Sequence, residues 1–159
     1  MTVQQWVRDR LATAPAIYGL IAYEVLIVAS SDHDPDTFSV LIVAVVSLLA
    51  FYLAHSFAET LAGNGPARLR DAIAKGFAHS AGMLYAAIIP TIVMLVCVIV
   101  RTDSDEASSW ATLAGLLVLG VLGYLALAER SRPLWARLLG ALCAIVLGFI
   151  IMVIDYAVH

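Results

Sequence analysis

Five stretches of the chain are almost continuously apolar, and short polar links separate them. They run over 16–30, 38–61, 74–100, 110–128 and 134–158. A helix needs about 20 apolar residues to cross the hydrocarbon core of a bilayer. The pattern therefore predicts five membrane-spanning helices, the first borrowing a turn at either end. The links carry the stop signals: SSDHDPDT with Pro35, GNGP at 63–66, RTDSDEAS at 101–108 and ERSRP at 129–133. Pro15 suits the first position of a helix. Pro90, in the middle of the third stretch, removes one helix bond and should kink it. Ahead of the first span, residues 1–13 form a polar lead in which Trp6, Val7 and Leu11 share a face that would lie in the membrane interface. No small-residue cleavage site follows it, so it does not read as a secretory signal. Without linker, repeat or composition shift, residues 1–159 read as a single transmembrane domain.

Composition agrees with the pattern. The chain is 62% hydrophobic and only 13% charged, too little charge for the surface of a soluble domain of this length. The charges are also sorted. Arg8, Arg10, Arg68, Arg70, Lys75, Arg130, Arg132 and Arg137 fall on one side of the predicted spans, and Arg101 alone falls on the other. By the positive-inside rule the N-terminus is cytoplasmic and the C-terminus external. Cys97 and Cys143 lie at different predicted depths, too far apart for a disulfide, which needs Cα atoms within about 7 Å.

The informative polar residues are those inside the apolar stretches. In FYLAHSFAET (51–60), Tyr52, His55 and Glu59 share one helix face. Glu24 sits in the first span and His79 near the start of the third. Counted from the predicted inner ends, Glu24, His55 and His79 lie roughly 8–12 Å inside the same leaflet, with Glu59 and Lys75 a turn nearer the cytoplasm. Ionisable groups at such depth normally face a bundle interior or a wet cavity. Three chemistries suit them, beside a purely structural hydrogen-bonded cluster that fixes helix packing. Glu24, His55 and His79 could hold a divalent metal. They could relay protons, since imidazole exchanges protons near neutrality. His55 and His79 could be the axial pair of a haem b. Asp155 and His159, four residues apart near the acidic link with His33, form a weaker cation-gathering pair at the outer end.

Gly140, Ala144 and Gly148 repeat at spacing four and predict a close helix contact, within one protomer or across a homo-oligomer. The sequence holds no phosphate loop, HExxH, CxxC or potassium-filter motif. No basic aromatic surface suggests nucleic acid, and nothing marks an enzyme.

The blocks YGLIAYE (18–24), FYLAHSFAE (51–59), HSAGMLYAAIIP (79–90) and DYAVH (155–159) resemble a family of small, uncharacterised actinobacterial multi-pass integral membrane proteins. The resemblance implies a bacterial plasma membrane and carries no activity with it. The expectation is thus a five-helix membrane bundle whose Glu24, Tyr52, His55, Glu59, Lys75 and His79 serve proton or cation translocation. The alternatives are an accessory or assembly subunit of a larger membrane complex, and a metal- or haem-containing redox protein.

Overall fold

The computed structural model describes residues 13–32, 36–62, 69–128 and 133–158, with the side chains of 151, 152 and 154–158 outside that description. All regular structure among the described residues is helical. The order is α1 (Ala14–Ser31), α2 (Thr37–Ala62), α3 (Leu69–Ser80), α4 (Gly82–Val100), α5 (Ser104–Ala128) and α6 (Leu134–Val158). The expected amphipathic turn over Trp6 to Leu11, and His33 and His159, lie outside the described residues; so does the side chain of Asp155.

Local chemistry explains the ends. Thr13 caps α1, its hydroxyl accepting from the Ala16 amide, and Pro15 stands in the first turn, where a missing amide hydrogen costs nothing. α4 stops at Arg101, which takes the left-handed conformation (φ 62°) while the Thr102 amide donates to the Cys97 carbonyl. α3 and α4 are nearly one helix. At the turn at Ala81 the Ala81 amide still donates to Phe77, and the Tyr85 amide to Ala81. The helix thus starts at Leu69 and not near 74, and its first part is amphipathic, exposing Arg70, Asp71, Lys75 and His79 and burying Gly76 and Ser80. Pro90 is buried inside α4. Beside it, the Thr91 hydroxyl donates to the Ala87 carbonyl and accepts from the Tyr23 hydroxyl (2.7 Å), tying α4 to α1.

α1 is the shortest of the apolar helices and the central one: it packs against α2, α4, α5 and α6. Its inward positions Ala16, Leu20, Tyr23 and Ile27 are fully buried. The rest of the interior mixes larger side chains, Val40, Met83, Met94 and Leu122, with many small ones, among them Ala44, Ala86, Ala87, Ala107 and Ala111. Many other large ones point out, as Ile42, Val46, Phe57, Ile92, Leu117, Val121 and Phe149 do. Contiguous apolar exposure on this scale would be an association hazard in water, whereas in a bilayer lipid is the solvent and small residues let helices approach. Along α5 and α6 that approach is tight. A Cβ on Gly123 would lie 2.5 Å from the Gly140 carbonyl oxygen and 2.8 Å from the Ala144 Cβ, and one on Gly148 would lie 2.8 Å from Leu119.

Among the described residues four helices, Ala14–Ser31, Thr37–Ala62, the joined Leu69–Val100, and Ser104–Ala128, are long and apolar enough to cross a membrane, and the apolar part of α6 there is Leu134–Ile150. Cys97 is buried and Cys143 exposed, and both are free thiols.

Candidate functional site: a buried carboxylate between α1 and α5

The end of the bundle carrying Ser31, Thr37, Val100 and Ser104, here the far end, fixes the depth scale. The Thr37 hydroxyl donates to the Thr102 carbonyl at 2.6 Å, holding the start of α2 against the α4–α5 link. Glu24 lies seven residues from Ser31, His55 eighteen from Thr37 and His79 twenty-one from Val100. At 1.5 Å per residue these are depths of roughly 10, 27 and 32 Å.

The three residues therefore do not form one site, which corrects the depth count made from the sequence. That count starts at the opposite end, where the helices stop at different heights: α1 has 18 residues and α2 has 26. His79 is exposed on α3, not turned into the bundle. Lys75 is exposed beside it.

His55 has a different setting. The Tyr18 hydroxyl, on α1, lies 2.5 Å from Nε2 of His55 and 3.0 Å from Nδ1, and the two rings meet edge to face. Nε2 is also 3.6 Å from Glu59 Oε1, an ion pair when the imidazole is protonated. Tyr18 and Glu24 are six residues apart on α1, roughly 120° around the axis at 3.6 residues per turn, so His55 and Glu24 address different faces of that helix. Tyr52, expected beside His55, instead donates to the Phe77 carbonyl at 3.2 Å and stacks edge to face on Phe77.

Glu24 is only 6% exposed. Its carboxylate lies over Gly115 of α5, where a Cβ would overlap it. The surrounding crevice is lined by Leu20, Ile21 and Val25 of α1, Gly115, Leu116 and Leu119 of α5, and Gly148 of α6. Neither carboxylate oxygen has a hydrogen bond of acceptable geometry, and neither does the buried hydroxyl of Thr112, the α5 side chain that faces it. Buried polar groups are nearly always paired, so two orphans facing each other mark this as the unusual place in the fold.

Among the described residues no three His, Cys, Asp or Glu side chains converge to hold a metal ion. Glu24, His55 and His79 do not come together as such a group. Of the two residues read as an axial haem pair, the His55 ring meets the Tyr18 hydroxyl and His79 faces outward.

Sequence reasoning missed Tyr18, Thr112 and Gly115. The first two are ordinary residues at helical spacing. Gly115 is, in the sequence, one small residue within the apolar run 110–128, and nothing in one dimension aligns it with Glu24.

The fold and this site define a multi-pass helical membrane protein with an ionisable group buried among its helices. The chain matches no protein-family model, no curated protein and no solved structure.

Proposed function

We propose that the protein moves protons or cations across a bacterial plasma membrane, with Glu24 as the intramembrane site. The topology proposed with it is five spans, a cytoplasmic N-terminus and an external C-terminus, α6 being the fifth span. One observation carries the reading: a carboxylate buried among apolar side chains, facing the Thr112 hydroxyl but with no hydrogen bond of good geometry to either oxygen. A charge at that depth costs roughly 2.5–3.5 kcal/mol on the gentler insertion scale. A purely structural carboxylate would be expected to recover that cost through hydrogen bonds, as Tyr23 and Tyr18 do. Tyr18, His55 and Glu59 give a second polar group toward the other end. The test is ion flux into liposomes containing the purified protein. Flux should vanish in Glu24→Gln while the variant folds and elutes as the wild type does.

A second reading, an accessory or assembly subunit, is favoured by the polar side chains that are spent on joining helices. Tyr18–His55 ties α1 to α2, Tyr23–Thr91 ties α1 to α4, and Tyr52 ties α2 to α3. On that reading Glu24→Gln alters stability or partner assembly and no ion flux depends on it.

A further inference from the structure

The surroundings of Glu24 differ along the membrane normal. Ser104, Ser108 and Thr112 stand four residues apart on one face of α5, and they are only 4%, 7% and 3% exposed. Each step is roughly 6 Å, so the three hydroxyls form a buried column from the far end to the level of Glu24. Ser31, 6% exposed and seven residues beyond Glu24 on α1, is buried at the same end. Ser108 donates to the Asp105 carbonyl and Ser31 to the Val28 carbonyl, both at 2.8 Å. A hydroxyl that donates to its own helix keeps lone pairs free to accept. The uppermost residue, Ser104, begins α5, where Asp103, Asp105 and Glu106 are exposed and lower the local potential for cations. In the other direction the crevice walls are Leu20, Ile21, Leu116 and Leu119. Glu24 therefore has buried hydroxyls toward one face and hydrocarbon toward the other.

The same geometry limits the ligand. Glu24 offers two oxygens and Thr112, outside the lining but facing Glu24, one; no side chain lining the crevice other than Glu24 carries a polar atom. A divalent cation such as Mg²⁺ or Ca²⁺ takes about six or more oxygen ligands. The crevice measures about 10 Å³, room for about one water, so a cation could not bring its hydration shell. A proton needs one oxygen. The titratable neighbour is Tyr23 on α1, whose hydroxyl is committed to Thr91; α5 and α6 contribute none to the lining.

We infer that Glu24 is a proton site and not a metal-cation site, and that it exchanges its proton with the far face along Thr112, Ser108 and Ser104, with water entering from that face to bridge the roughly 6 Å between successive hydroxyls. This rests on the translocation reading and adds to it the ion and the side of loading.

The test uses the full-length protein. In liposomes holding an internal pH dye, a pH gradient should drive proton flux that is lost in Glu24→Gln and slowed in Thr112→Val and Ser108→Ala. Sodium, potassium and magnesium should show no Glu24-dependent flux. In detergent, the infrared difference between acid and alkaline buffer should contain a carboxyl C=O band that is absent in Glu24→Gln and indifferent to those three cations. Should Glu24→Gln misfold, blocking Glu24 with dicyclohexylcarbodiimide, located by peptide mass, replaces it. Glu24-dependent flux of a metal cation, or a shift of the carboxyl band on adding one, overturns the inference and leaves translocation standing. Wild-type proton rates in Thr112→Val and Ser108→Ala overturn the route. No Glu24-dependent flux of any ion overturns the translocation reading and the inference together.

Discussion

The Glu24 carboxylate occupies the space that a side chain at position 115 would fill. Gly115 thus makes the site, and the contact is reciprocal: either residue limits what the other can be. Gly115→Ala should displace the carboxylate or push α1 from α5, an overpacking cost of about 1–3 kcal/mol. Adding Glu24→Ala should recover much of it, so the double-mutant cycle is strongly non-additive. Thermal unfolding in detergent measures all four proteins. A Gly115→Ala variant as stable as the wild type would show that the two residues are not locked together.

Glu24→Met separates function from architecture. It replaces an unpaired buried carboxyl by an adaptable apolar side chain. Removing an unsatisfied polar group relieves about 1–3 kcal/mol of desolvation, so the variant should melt at or above the wild-type temperature while losing ion flux. Lower stability would instead mark Glu24 as a structural group with partners of its own.

The α5–α6 contact should be intolerant of bulk. Ala144→Leu forces a larger side chain against Gly123, where even a single added Cβ would lie 2.8 Å from the Ala144 Cβ. The expected loss is about 1–3 kcal/mol, and Cys143→Leu, on the exposed neighbouring position, serves as the control with little change. Equal melting temperatures for the two would refute the packing.

Tyr18 and His55 should behave as one unit. Tyr18→Phe and His55→Ala each remove the same interhelical hydrogen bond, worth about 0.5–1.5 kcal/mol. The double variant should cost less than the sum of the two. Additive losses would mean that α1 and α2 are held here by ring packing alone.

The proposed topology places His159 outside. A reporter active only in the periplasm should be active when fused after His159, and one active only in the cytoplasm should be silent. The reverse pattern would overturn the odd number of spans or the orientation drawn from the basic residues.

Much of this architecture follows from one-dimensional chemistry. Apolar runs near the length of a bilayer crossing, stopped by SSDHDPDT and GNGP, set the α1 and α2 ends to within about two residues of those observed. The unusual status of Glu24 is also legible, because a carboxylate inside an apolar run is expensive whatever surrounds it. What surrounds it is not. Helix length is encoded locally, but the height of one helix against another is decided by contacts such as Thr37 with Thr102, remote in sequence. Without that register Glu24, His55 and His79 count to one depth, and the fold places them apart. The faces are equally hidden. Which side of α1 meets α5 depends on where small residues permit the closest approach, and Gly115 acquires its role only when it slides beneath Glu24. Ser104, Ser108 and Thr112 are ordinary hydroxyl residues in the sequence; tertiary packing alone removes them from water and lines them up with an unpaired carboxylate.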